Sequence, residues 1–255
     1  MPGKFPGMPS TETEHRTALD AAAGGREKRA YVRRIFSEIA PRYDLLNHLL
    51  SFNIDKGWRR KAIAALGWER WPDGTYVDLC AGTLDVSLML AGAPGFRGRV
   101  VSADFAEPML RHGASKRRGA PVTPVVADAL QLPIPDGAAQ GAIVAFGVRN
   151  LSDLDGGLRE ARRVLGPGAR FVVLEFSMPR SALVRLGYGV YFRFVLPAVG
   201  RLVSGHPTAY RYLPESVAHF PTGDALADRL RRAGFRTVSW RPLTLGIAAL
   251  HVAEV

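Results

Sequence analysis

The order of apolar and polar positions divides this chain into runs of two kinds. Thr75 to Leu79, Arg99 to Ala103, Val122 to Ala127, Gly141 to Ala145 and Arg170 to Phe176 are short and largely apolar. Such runs predict strands covered on both faces, as in a parallel sheet. Val86 to Leu90, Glu107 to Arg118 and Asp155 to Leu165 read as intervening helices, the last stopped by Gly166 and Pro167. Upstream, Tyr31, Ile35 and Ile39, then Leu45, Leu46, Leu49 and Leu50, recur at helical spacing on either side of Pro41, and Trp58, Ile63 and Leu66 suggest one more helix. A helix over Gly223 to Ala233 and strands near Arg236 to Trp240 and Ile247 to Ala253 close the chain. Alternating strand and helix predicts a doubly wound α/β fold. Residues 1–25, rich in Pro, Gly, Ser, Thr and Ala without an apolar period, predict a disordered tail. Residues 26–255 then form one domain, with a helical insertion at about 180–222.

Composition narrows the setting. The 255 residues are enough to bury a full core without staples. Cys80 is the only cysteine, which excludes an internal disulfide and a cysteine-based metal cluster and fits a reducing cytosol. No basic head followed by an apolar stretch opens the chain, and no run of about 18 uncharged apolar residues occurs, so neither secretion nor a membrane span is expected. The 34 Lys plus Arg against 23 Asp plus Glu leave a net charge of +11, which favours an anionic partner or simply reflects a solvated, arginine-rich surface.

The chemistry concentrates in YVDLCAGTLD, Tyr76 to Asp85, and VVSAD, Val100 to Asp104. Small residues at Cys80 to Thr83 suit a tight bend that approaches a ligand closely, and Asp104, about 20 residues on, sits where a strand-end acid accepts ribose hydroxyls. The G-x-G-x-x-G pattern of a dinucleotide site is absent. The form D-x-C-x-G-x-L-D is similar to the first motif of class I S-adenosylmethionine methyltransferases, whose ligand has no pyrophosphate. Asp128 and Ala129 follow at the next strand end, although any one of these acids taken singly is also readable as a helix or turn cap.

FSEIAPRYDLLNHLLSFNID, ADALQLPIPD, FGVRNLSDLDGGLREARRVLGPGARFVVLEFS, YRYLPESVAHFP, AGF and LTLGIAALH, together with the first motif, occur in the order found in the ubiquinone/menaquinone biosynthesis C-methyltransferase family. The resemblance covers nearly all of the chain after residue 30. It implies a Rossmann-like sheet of seven strands with an antiparallel C-terminal strand, and methylation of a ring carbon of a polyprenylated hydroquinone by S-adenosylmethionine. On the same grounds Asp78, Gly82, Thr83, Asp85, Asp104, Asp128, Ala129 and Ala145 would hold the cofactor. Arg149 and Asn150 would face the quinol head, with Tyr43 and Asp55 beside them. Arg149 suits stabilisation of a phenolate but not the role of base, because its guanidinium stays protonated. That leaves a water, Asp55, His206 or His251 as base. Arg149 is also readable as a partner of Asp153 or Asp155, Tyr43 as a core aromatic, and His251 as a structural histidine.

Leu183 to Leu202 is apolar and aromatic, interrupted by Arg185, Arg193 and Arg201, and suits a greasy tunnel, a bilayer interface or an ordinary cover helix pair kinked at Pro197. With the net charge it suggests a cytoplasmic protein in peripheral contact with anionic lipid. A homodimer is compatible with this reading, and nucleic acid is not expected, for lack of a separate basic module. Three residues depart from the family pattern: Leu84 stands at a motif glycine, Asp55 at a histidine and Ala145 at a frequent hydroxyl residue. A leucine at positive φ costs roughly 1 kcal/mol or more. Other readings are a relative that has lost methyl transfer and serves as a lipid-bound or complex-bound scaffold, and a methyltransferase of another aromatic metabolite.

Overall fold

The computed structural model describes residues 21, 27–45, 51, 53–190 and 207–255. Seven strands form one sheet: β1 (Thr75–Leu79), β2 (Arg99–Asp104), β3 (Val122–Val126), β4 (Ala139–Ala145), β5 (Leu165–Phe176), β6 (Thr237–Leu243) and β7 (Ala248–Glu254). Their order is β3-β2-β1-β4-β5-β7-β6. The first five strands pair in parallel, with Tyr76 of β1 opposite both Val100 of β2 and Gly141 of β4. β7 runs antiparallel to both neighbours, so it alone reverses direction. The sequence reverses its march across the sheet between β1 and β4, which opens a crevice at the carboxyl ends of these strands.

Alternation of side chains across the pleat builds two cores. Val77, Ala142, Phe171 and Val173 face α5 (Leu154–Val164) and α8 (Gly223–Arg232), burying Leu158, Leu226 and Leu230. Tyr76, Val100, Ile143, Val172 and Leu174 face the other way, towards α2 (Ile54–Leu66), α3 (Asp85–Ala91) and α4 (Glu107–Ala114), with Leu66, Leu90 and Leu110 in the same cluster. Asp153 caps α5 by accepting a hydrogen bond from the Gly156 amide, and Gly67, at φ +66°, ends α2. α1 (Lys28–Ile39) buries Tyr31, Val32 and Ile35 beside Tyr212 of α7 (Pro207–Ala218), and α6 (Ala182–Val190) follows β5.

Two boundaries differ from the pattern-based expectation. Gly166 and Pro167 do not end a helix in a loop: β5 begins at Leu165, and the register jumps between the Ala139–Leu165 and Gly141–Arg170 pairs. Pro167 sits in that irregularity, before β7 begins to pair at Arg170, so its missing N–H interrupts no ladder there. α4 stops at Ala114 rather than Arg118, and the chain then turns at Arg118 and Gly119, both at positive φ. Of the expected tail only Ala21 is described, buried in the cluster with Tyr31. Residues 46–50, His206 and residues 191–202 of the apolar insertion lie outside the described residues.

Candidate active site

After β1 the backbone enters the left-handed region at every second residue: Cys80 at φ +54°, Gly82 at +53° and Leu84 at +68°. Gly82 is buried, and a Cβ there would touch Met109 and Tyr43 at ordinary contact distance, so its positive φ rather than crowding calls for glycine. Asp104, at the end of β2, locks the bend by accepting hydrogen bonds from the amides of Gly82 and Ala106, each at 2.8 Å. Burial raises the pKa of its carboxyl, while the amides oppose that shift. Two lone pairs per oxygen leave further capacity to accept hydroxyl donors.

Asp78 lies elsewhere, beneath α3. It accepts a hydrogen bond from Ser87 Oγ at 2.6 Å, Ser87 Oγ lies 2.7 Å from Ser102 Oγ, and burial pushes the Asp78 carboxyl up to about 7. Leu84 is fully buried and packs onto Gly113 of α4, where a methyl group would come within 2.6 Å of Leu84 Cγ. The bulky residue in the motif therefore fills the space between α3 and α4.

One edge of the bend is lined by alternating charges. Asp55, joined by Ser51 Oγ at 2.7 Å, pairs with Arg59, which pairs with Asp85 at 3.1 Å. Lys116 Nζ reaches Asp85 at 2.7 Å and Asp44 at 2.8 Å, and Asp44 accepts a hydrogen bond from the Thr83 hydroxyl. Burial works against the charge on Asp44, but the hydrogen bonds from Lys116 and Thr83 more than offset it and hold its pKa low. Across the crevice, Asp128 accepts from the Leu130 amide and pairs with Arg29 of α1 at 2.9 Å, next to buried Ala129. Ala145, half-buried, ends β4.

Arg149 and Asn150 lie in the turn that follows. The Arg149 guanidinium donates to Glu175 Oε1 at 2.7 Å, to the Phe146 carbonyl and to Ser216 Oγ at 3.3 Å, and lies 5.5 Å from the Phe176 ring centroid. Burial disfavours its charge, yet Glu175 wins and the pKa is raised. Neither Asp153 nor Asp155 is its partner: Asp153 caps α5 and Asp155 pairs with Arg229. Tyr212 donates to Asn150 Oδ1 at 3.1 Å, and Lys28 donates to the Arg149 carbonyl at 2.9 Å. Trp58, Phe146 and Phe176 form an aromatic cluster beside them, the two phenylalanine centroids 4.7 Å apart. His251 is remote from this group. It is buried against Trp240, with Nε2 2.9 Å from the Gly223 carbonyl oxygen, and burial lowers its pKa.

Residues 24–254 match the ubiE/COQ5 methyltransferase family. The chain belongs to that family. It is a methyltransferase, and S-adenosylmethionine is its methyl donor. A demethylmenaquinone methyltransferase of Thermus thermophilus is 51% identical over 223 residues, 86% of this chain and 99% of that protein. A ubiquinone/menaquinone biosynthesis C-methyltransferase of Geobacter sulfurreducens is 41% identical over 232 residues, 89% and 90% of the two chains. Among solved structures, a SAM-dependent methyltransferase of Thermotoga maritima superposes with a TM-score of 0.59 at 15% identity, covering 87% of this chain and 98% of that one, which speaks for the fold.

The bend fits such a donor: a buried glycine at positive φ, a strand-end acid at Asp104, and a second acid at Asp128. Of the residues singled out from sequence, Gly82, Thr83, Asp85, Asp104 and Tyr43 converge on the bend, Asp128, Ala129 and Ala145 end the neighbouring strands, Arg149 and Asn150 share one turn, Asp55 joins the charged edge through Arg59, and Asp78 lies underneath. Asp44, Lys116, Arg59, Lys28 and Glu175 escaped that reading. Only Glu175 left a signal, as an acid closing an apolar run and therefore in need of a partner.

Proposed function

We propose that the chain methylates a ring carbon of a polyprenylated hydroquinone in respiratory quinone biosynthesis, as one domain spanning residues 26–255. The printed activities of the Thermus and Geobacter relatives support this reading. The convergence of Tyr212 and Ser216 of α7 on Asn150 and Arg149 carries it: the two most specific segments of the resemblance meet in one buried polar wall facing an aromatic cluster.

Gly82, Thr83, Asp104, Asp128, Ala129 and Ala145 would hold the donor, with Asp85 behind Thr83. Bound there, the donor supplies an electrophilic methyl group. The protein's part is to make a weak aromatic nucleophile strong and to hold it in line. Arg149, oriented by Glu175, Ser216 and the Phe146 carbonyl before substrate arrives, stabilises negative charge on the ring oxygen, and Asn150 orients the hydroxyl. Tyr43 and the Trp58–Phe146–Phe176 cluster exclude water and flank the ring.

The prenyl tail leaves towards an apolar rim at the same end of the sheet. Leu183 and Leu186 of α6 are 79% and 67% exposed, and Leu245, at the β6–β7 turn that Ser177 ties down through the Gly246 carbonyl, is 76% exposed. Among the described residues no helix is long and apolar enough to cross a membrane. This rim and the +11 charge favour peripheral contact with anionic lipid.

Calorimetric titration should give saturable binding of S-adenosylmethionine, and the enzyme should methylate a demethylated prenyl naphthoquinol or benzoquinol. Arg149→Gln should lower kcat by roughly 10²–10³ with donor affinity unchanged. Absence of heat at millimolar donor would end the proposal, and so would unchanged kcat in the variant.

A further inference from the structure

We infer that Lys28 is the proton acceptor of the reaction, taking the ring hydroxyl proton as the adjacent carbon attacks the donor's methyl group; this rests on the quinol methylation proposed above.

Lys28 opens α1 and buries its ammonium-bearing end, Nζ lying 2.9 Å from the carbonyl oxygen of Arg149. That places its amine on the backbone of the residue assigned to the ring oxygen. Among the described residues it pairs with no carboxylate, and Glu27, its neighbour in sequence, is exposed. Burial first, and the Arg149 guanidinium second, lower its pKa from the ordinary lysine value. The start of a twelve-residue helix adds a third unfavourable influence, since the positive end of the helix dipole disfavours a cation. A lysine buried beside a second cation is a known route to a neutral, basic amine. The other titratable groups around it are Tyr31 on α1, Tyr212 on α7, Tyr43 after α1, and Glu175, which Arg149 already neutralises. Burial raises the pKa of Tyr212, which leaves it protonated and unsuited to the task. Asp55 is held by Ser51 and Arg59, and His251 is buried against Trp240.

The balance is simple. The hydroxyl proton passes to the neutral Lys28 amine, the ring carbon forms a bond to the methyl group, and the carbon–sulfur bond breaks with its electron pair going to sulfur. The ring carbon then loses its hydrogen to water while Lys28 returns a proton to the ring oxygen. One proton is released and the amine is restored.

The test compares Lys28→Arg and Lys28→Met. Arginine can still donate to the Arg149 carbonyl but stays charged, so a purely structural role survives in Lys28→Arg and fails in Lys28→Met. Loss of the base predicts that both lose about 10²–10³-fold in kcat, with the quinol KM little changed. Both should also lose the rising limb of the pH–rate profile through which the wild-type amine deprotonates. Without turnover, 1-naphthol bound to the wild type should develop its naphtholate absorbance with the same midpoint as that limb, and should not do so in Lys28→Arg. Retention of wild-type kcat and pH profile by Lys28→Arg, or naphtholate formation independent of residue 28, overturns the assignment. A wild-type enzyme that methylates no quinol instead overturns the reading beneath it.

Discussion

Asp78 shows how differently the acids of two neighbouring strands can be used. Asp104 is clamped by amides at the crevice, whereas Asp78 shares a closed cell with Ser87 and Ser102 and has its carboxyl pushed up to about 7. Unfolded, it titrates near its ordinary value of about 4, so folding favours the proton. Its contribution is whole below about pH 4 and is lost as pH rises through about 7, a loss on the order of 4 kcal/mol. Asp78→Asn keeps an oxygen for Ser87 and cannot ionise. Urea midpoints at pH 5 and pH 8 should fall for the wild type and much less for the variant; parallel falls would show that Asp78 is not the source. The sequence displayed both acids as strand-end carboxylates, but a one-dimensional pattern does not tell a side chain under a helix from one at a mouth. Asp44 and Lys28 were hidden for a related reason, because both come from the N-terminal segment and acquire partners only when it folds across the crevice.

At the level of elements, α3 begins on a leucine in the left-handed region, seated on Gly113 of α4. Leu84→Gly would relieve roughly 1 kcal/mol of strain but remove a buried leucine side chain, whose truncation costs about 2–5 kcal/mol. The variant should therefore be less stable in urea by about 1–4 kcal/mol, with S-adenosylmethionine affinity unchanged, since Leu84 faces α4. A more stable variant, or one that binds donor more tightly, would contradict this packing. The elements themselves were largely legible: a strand covered on both faces, such as Thr75–Leu79, announces itself by composition. Boundaries were not, because the start of β5 is set by its partners and by an irregular register at Ala139, which no local signal at Gly166 or Pro167 encodes.

For the whole molecule, the doubly wound class followed from the alternation of strands and helices, and with it a ligand site at the strand ends, whereas the strand order came from the fold. The apolar rim was legible only as an apolar insertion; Leu245, in a distant turn with Thr244 and Leu245 both at positive φ, joined it through the fold. Leu183→Ser, Leu186→Ser and Leu245→Ser combined should weaken binding to phosphatidylglycerol vesicles at least about tenfold, given roughly 1.5–3 kcal/mol for each leucine fully buried. Raised salt should weaken binding of both proteins. Flotation with vesicles measures this, and equal binding by both proteins would move the membrane contact elsewhere.

A carboxylate beside the bend acts on a cationic donor. Asp44 accepts a hydrogen bond from Thr83 of the bend, and the hydrogen bonds from Lys116 and Thr83 hold its pKa low, so it stays negative next to the place where a sulfonium would rest. A fresh donor is cationic there and a spent one is neutral. A carboxylate so placed would attract the reagent and lose that attraction once the methyl group has gone, which would favour exchange over product inhibition.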